Sequence, residues 1–185
     1  MKISLKLKAL LVFAFALIAT TIAFAQAPAT KPAPSTNESV EGKIGEANIT
    51  IKYGSPSVQG RKIIGGMEPY GLPWRAGANA ATVITTDKDI MINGQKLAAG
   101  KYSIYMIPTE KDWKVVFNSA TGQWGVLRTA DDPRGYKANI DATKDVLVTT
   151  VTPKKAGPTE KLKYVINKDG FSLIFENVEI PVTIK

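Results

Sequence analysis

The chain contains no histidine and no cysteine, which limits the chemistry that its side chains can perform. It cannot supply a Ser-His-Asp triad, a Cys-His pair or an ordinary zinc site, and covalent haem attachment is excluded as well. Carboxylate chemistry, a Ser-Lys pair and an oxygen-ligated metal remain available. Any catalysis would therefore depend on acidic residues or on a serine activated by lysine.

The acidic residues fall mostly in predicted turns or on polar strand faces, where solvated charge explains them. Glycoside hydrolysis needs two carboxyl groups at a set separation across a cleft. Asp87-Lys88-Asp89 and Asp131-Asp132 lack the ligand density of a calcium loop, and no serine lies on a recognisable nucleophile elbow. The sequence thus predicts no catalytic residue, no metal ligand and no cofactor, and a hydrolase ranks only third among the functions considered. The carboxylates considered are Glu41, Glu46, Glu68, Asp87, Asp89, Glu110, Asp112, Asp131, Asp132 and Asp141.

The segment from Arg61 to Asn79 carries the groups best suited to hold a ligand. It is long for a loop in a compact domain, and such loops are usually functional or disordered. Its aromatic residues argue against disorder. Tyr70 and Trp74 offer flat amphipathic surfaces, Arg75 a planar fork of donors, and Asn79 both a donor and an acceptor. Groups of this kind line sites for small polar ligands. The alternative is that Trp74 plugs the open end of the fold while Arg75 satisfies a buried carboxylate or carbonyl.

The amino terminus has the pattern of a cleavable signal peptide over residues 1–25. Three lysines precede an apolar run from Leu10 to Ile18, and Ala23-Phe24-Ala25 forms an A-x-A cleavage signal before Gln26. The alternative is an uncleaved anchor, although the apolar stretch is short for a membrane span. The absence of cysteine excludes a bacterial lipoprotein and disulfides. We therefore expect a periplasmic or secreted protein with no stable membrane insertion after cleavage.

Residues 26–39 are rich in proline, alanine and threonine, and this composition predicts a disordered tether. Residues 40–185 are then expected to form a single domain. Without the signal-peptide lysines, 21 basic residues stand against 16 acidic ones in a scattered pattern. Nucleic-acid binding would require a basic stripe with interleaved aromatic residues, so a solvated basic face is the better explanation.

The apolar residues of this domain recur with period two, which is typical of β-strands. Ile49, Ile51 and Tyr53 alternate with polar residues, and Asn93-Gly94 predicts a type I′ hairpin. Val146 to Val151 is apolar on both faces, as in a central strand, and the only plausible short helix lies between Arg128 and Thr143. About nine strands follow from this pattern. The predicted fold is all-β: a single jelly-roll-like β-sandwich or a partly open barrel.

Several motifs resemble the family known as domain of unknown function 2911. They include Gly60-Arg61-Lys62-Ile63-Ile64-Gly65, Trp74-Arg75-Ala76-Gly77-Ala78-Asn79, Ile92-Asn93-Gly94-Gln95, Phe117-Asn118 and Gln123-Trp124-Gly125. The resemblance covers most of residues 40–185 and implies an exported bacterial protein, but no activity. Leu72-Pro73 departs from the Lys-Val pair often found in such proteins.

Together these patterns favour a non-catalytic module that binds a small polar or anionic ligand, for example a glycan. The alternative is a structural or interaction protein of the cell envelope. The candidate ligand-binding residues are Arg61, Tyr70, Trp74, Arg75, Asn79, Asn118 and Trp124.

Overall fold

The computed structural model describes residues 34–185, which form twelve β-strands and a 3₁₀ turn at Ala142–Lys144. The predicted signal peptide and most of the predicted tether lie outside the described residues. Within residues 34–185, no helix is long and apolar enough to cross a membrane. The strands are β1 (Thr36–Ile44), β2 (Ala47–Ser55), β3 (Ala78–Thr86), β4 (Ile90–Ile92), β5 (Gln95–Leu97), β6 (Gly100–Ile107), β7 (Trp113–Asn118), β8 (Val126–Arg128), β9 (Tyr136–Ala138), β10 (Asp145–Val151), β11 (Lys154–Asn167) and β12 (Gly170–Thr183).

Six strands form the main antiparallel sheet, in the order β1-β2-β3-β6-β7-β10. Its inner face follows from the period-two alternation. On β2, Ile49, Ile51 and Tyr53 are buried, whereas the intervening Thr50 and Lys52 are not. Ile51 lies opposite Val40 of β1 on one side and Ile84 of β3 on the other. The apolar positions of neighbouring strands therefore face the same layer.

The β11–β12 hairpin forms the second layer of the domain. Tyr164 pairs with Leu173 across this hairpin, and both side chains are buried. They join the inner residues of the main sheet, such as Phe117, in one apolar core. The Tyr164 hydroxyl donates a hydrogen bond of 2.9 Å to the carbonyl oxygen of Ala76. Among residues 34–185 no sheet is closed into a barrel. The predicted all-β fold is confirmed, with twelve strands rather than about nine.

The Asn93-Gly94 hairpin is present as predicted. These residues have φ angles of 44° and 83°, as a type I′ turn requires, and Ile92 of β4 pairs with Gln95 of β5. The Asn93 amide also donates a 2.8 Å hydrogen bond to the hydroxyl of Thr149 on β10. The turn therefore closes the small hairpin and also attaches it to the main sheet.

Three expectations differ from the structure. The strand predicted at Val146–Val151 is an edge strand, because β10 lies at the end of the main sheet. Its Val146 and Val148 side chains are 49% and 44% exposed, so one face is uncovered. Residues 36–39, assigned to the tether by their composition, pair with β2 as the first part of β1. The region expected to hold a short helix instead contains β9, followed by the 3₁₀ turn, because Tyr136–Ala138 finds its partner in β8.

Candidate functional site

Residues 56–77, which connect β2 to β3, are held in place by hydrogen bonds to both layers. Trp74 exchanges two backbone hydrogen bonds with Met106 of β6, with N···O distances of 2.7 and 2.8 Å. On the other side, the Glu176 carboxylate of β12 accepts from the backbone N–H groups of Ile63 and Ile64, at 2.8 and 2.9 Å. The connection is therefore a fixed part of the fold, as its aromatic content predicted.

The Trp74 side chain is part of the apolar core. Only 2% of its surface is exposed, and its ring lies edge-on to Trp113 with a centroid distance of 6.2 Å. Its other neighbour is Phe175. The two ring planes are inclined by only 15°, and the ring centroids are 6.5 Å apart. Trp74 thus has the packing that was expected of a plug.

A cavity of about 170 Å³ lies beside Trp74. Its apolar wall includes Ile63, Met67, Trp74 and Phe175, and its polar groups are Ser35, Arg61, Glu68, Arg75 and Tyr136. Two larger depressions, of about 350 and 330 Å³, contain neither Trp74 nor Arg75. The predicted plug is therefore also one wall of a pocket.

One arginine, Arg134, contacts the cavity residue Glu68 and is fully paired. Arg134 forms a two-point contact with Asp132 (Nε–Oδ1 2.8 Å, Nη2–Oδ2 2.6 Å) and a third bond from Nη1 to Glu68 Oε2 at 2.8 Å. The hydrogen bonds from Arg134 lower the pKa of Asp132 to about 2. Glu68 also accepts a 2.8 Å bond from the Tyr136 hydroxyl, and burial together with the Glu68 charge raises the pKa of Tyr136 to about 12. This network fixes one side of the cavity.

Arg75 is placed very differently. No Asp or Glu oxygen of residues 34–185 lies within 4.0 Å of its guanidinium, and its Nε is buried without a hydrogen-bond partner in the same range. Its Cζ lies 5.9 Å from the centre of the Tyr136 ring. Burial lowers the pKa of Arg75, and the more distant Glu68 charge offsets this only in part. Arg75 is still a cation at neutral pH, but one that has lost water without gaining an ion pair.

The backbone at Gly125 makes room for the Arg75 side chain. A Cβ atom at Gly125 would lie 2.4 Å from Arg75 Cδ and 2.8 Å from the carbonyl oxygen of Asn79. Real Cβ contacts are never that close, so only glycine allows this approach. The Gln123-Trp124-Gly125 motif thereby supports Arg75 from outside its own loop.

Arg61, Trp74 and Arg75 of the predicted ligand-binding set line the same cavity. Arg61 lies at its rim with its guanidinium bonded to the carbonyl oxygens of Val58 and Ser57, at 2.9 and 2.7 Å. Tyr70 is 43% exposed and does not line the cavity.

The other three predicted residues lie elsewhere. The Asn79 amide donates to Ser35 and Asn37, both at 3.1 Å, so it does not converge with Trp74 and Arg75 as expected. Asn118 is fully buried and donates to Asp141 and Asp145. Trp124 is 59% exposed, outside the cavity. Asn79 and Asn118 hold neighbouring segments of the fold together.

The sequence reasoning missed the residues that pair around Arg75. Glu68 and Asp132 were explained as solvated charges, yet their side chains are only 7% and 11% exposed and both contact Arg134. A local signal for one pair exists, since Asp132 and Arg134 flank Pro133 within a single turn. Glu68 and Tyr136 are joined only by the folded structure.

The sequence model of a family described as "Protein of unknown function (DUF2911)" matches residues 35–184. The chain belongs to the DUF2911 family. No curated protein and no solved structure matches the chain. The resemblance drawn from the Trp74-Arg75 and Gln123-Trp124-Gly125 motifs is thus confirmed. In this DUF2911 domain, both motifs contribute to the surroundings of one arginine.

The charged groups around the cavity differ in how they are paired. In residues 34–185, no group of three or more His, Cys, Asp and Glu side chains is arranged to hold a metal ion. Glu68, which lines the cavity, accepts a hydrogen bond from Arg134, as does Asp132. The Arg75 guanidinium also lines the cavity but has no acidic partner among residues 34–185, and its planar donors match an oxyanion.

Proposed function

We propose that this domain binds a small ligand through a carboxylate, or a similar oxyanion, held by Arg75. One observation carries the proposal: Arg75 lines a cavity while its guanidinium has no acidic partner among residues 34–185. Burying a charge costs free energy unless a partner compensates it. An anionic ligand would supply that compensation.

The cavity restricts what the ligand can be. Its volume of about 170 Å³ is smaller than the roughly 300–1,000 Å³ of pockets for drug-sized molecules. Ile63, Met67 and Phe175 add apolar surface to the lining of the cavity. These features favour a small monocarboxylic acid with an apolar body.

A glycan fits the site less well. Sugars commonly stack on an exposed aromatic face, but the ring of Trp74 lies against Phe175 and is almost fully buried. Trp124 is exposed, but it does not line the cavity. We therefore narrow the predicted polar or anionic ligand to an acid.

A second candidate is an interaction protein. The observation that favours it is the exposure of Val146 and Val148 on β10, at the edge of the main sheet. An exposed edge strand can pair with another chain. For either function, we propose that the domain works outside the cytoplasm, on the support of the signal-peptide pattern in residues 1–25.

Thermal unfolding in the presence of small monocarboxylates tests the binding proposal. A ligand at about 100 times its Kd should stabilise the protein by about 2.7 kcal/mol. The shift should disappear in Arg75→Gln and persist in Arg128→Gln, which removes the same charge at an exposed site. An equal shift in both variants would show that binding does not involve Arg75. The absence of any shift across short-chain, branched and aromatic acids would favour the interaction protein.

A further inference from the structure

A second and much smaller cavity lies on the other side of Arg75. Its volume is about 10 Å³, and it is lined by Arg75, Ser103, Tyr105, Gln123 and Asn139 among others. Arg75 is the only charged residue that lines both this cavity and the larger one among residues 34–185. Its side chain therefore lies at the boundary between the two spaces.

Two of the residues that line the small cavity each carry a buried polar atom without a hydrogen-bond partner among residues 34–185. In residues 34–185, Arg75 Nε and Gln123 Oε1 are the buried side-chain nitrogen and oxygen atoms that make no hydrogen bond. Nε–H can only donate, and the amide oxygen can only accept. Leaving a buried donor or acceptor without a partner destabilises the folded protein. Both residues line the same small cavity, so one guest molecule can serve both.

We propose that this cavity is a binding site for a single water molecule. The water accepts the hydrogen bond of Arg75 Nε–H and donates one to Gln123 Oε1. A cavity needs about 10–15 Å³ to hold one water molecule and at least two polar partners to retain it, and both conditions are met. Ser103, which is buried at the same cavity, has a hydroxyl that can act as a third partner.

The water site has a consequence that rests on the proposed function. A hydrogen bond at Nε restricts rotation of the guanidinium and leaves its two Nη groups for a ligand in the larger cavity. Gln123 is then a positioning residue: it acts on the ligand only through the water and Arg75. Pre-organising a donor in this way strengthens binding because less side-chain freedom is lost on association.

Nuclear magnetic resonance of the ¹⁵N-labelled protein tests the water site directly. The sequence has only four arginines, so four Nε–H signals are expected, and Arg75→Gln identifies the signal of Arg75. The Arg75 Nε proton should show a cross-peak to water. The sign of this cross-peak should be that of a long-lived contact and not that of chemical exchange. Arg134 is the matched control, because its Nε donates directly to Asp132 at 2.8 Å. It should show no such cross-peak.

The variant Gln123→Leu removes the second partner of the water. We expect it to abolish the Arg75 cross-peak, leave the Arg134 signal unchanged and weaken ligand affinity several-fold. The water site is overturned if wild-type Arg75 shows no long-lived water contact, or if a crystal structure shows Arg75 bonded directly to Gln123. The two proposals fail separately. A water contact without any bound acid would defeat only the proposed function, and acid binding without the water contact would defeat only the water site.

Discussion

Removing the charge of Arg134 should destabilise the protein much more than removing the charge of Arg75. In Arg134→Gln, Glu68 and Asp132 each lose a hydrogen-bonded cationic partner. Removing one member of a buried ion pair typically costs about 3–5 kcal/mol, because the remaining charge is left uncompensated. Asp132 keeps some contact with solvent, so we expect a loss near the lower end, about 3 kcal/mol.

Arg75→Gln should cost far less. This substitution breaks no ion pair within 4.0 Å among residues 34–185 and removes a buried charge whose Nε has no partner in that range. What is lost is the packing of the side-chain stem against Gly125, worth about 1 kcal/mol or less. Relief of the desolvation cost acts in the other direction. We therefore expect a net change in the free energy of unfolding within about 1 kcal/mol.

Urea unfolding of the wild type and both variants measures this difference. A loss of about 3 kcal/mol corresponds to a Tm decrease of roughly 6–12 °C for a domain of this size, which thermal scans would also resolve. The reasoning is refuted if Arg75→Gln destabilises the protein as much as Arg134→Gln. Such a result would mean that Arg75 is a structural residue, and it would favour the interaction protein over the binding module.

Three further predictions concern the fold and the amino terminus. Gly94→Val should cost about 1–2 kcal/mol in urea unfolding: it forces a β-branched residue to φ 83°, and no heavy atom within 4 Å adds a clash. A change of a few tenths would contradict the turn. Asp132 has a pKa of about 2 in the folded state against 3.8 for an ordinary aspartate, so its stabilising effect is complete above pH 3.8 and is lost as the pH falls towards 2. Acid unfolding of Asp132→Asn should accordingly show a weaker dependence on pH across that interval, and an unchanged dependence would contradict this assignment. Sequencing of the native protein should find an amino terminus near Gln26, whereas an intact Met1 in a membrane fraction would favour the anchor.

The alternation of apolar residues predicted most of the strands because it reports which side chains face the core. It worked for β2, β7 and the β11–β12 hairpin, where one face is buried over several residues. The strands β8 and β9 are three residues each, too short to show alternation. Val146 and Val148 were misleading because a sequence shows that a face is apolar but not whether another element covers it.

The candidate site was predicted in part for a similar reason. Arg61, Trp74 and Arg75 belong to one connection, so proximity along the chain placed them near one cavity. Glu68 lies in the same connection, but its partners are Arg134 and Tyr136, contributed by a distant turn and by β9. A single acidic residue does not reveal whether it is solvated or paired, because that depends on contacts formed only in the folded chain.

The position of Glu68 explains how Arg75 can be buried and still be available to a ligand. Both oxygens of Glu68 accept strong hydrogen bonds from other residues, at 2.8 Å each. Its negative charge nevertheless acts on Arg75 over a longer distance and reduces the cost of burying that cation. Glu68 therefore compensates part of the positive charge of Arg75 but forms no hydrogen bond with it. Charge compensation and hydrogen bonding of Arg75 are thus separate requirements. An anion in the cavity would complete both, which is why we propose a negatively charged ligand rather than a neutral one.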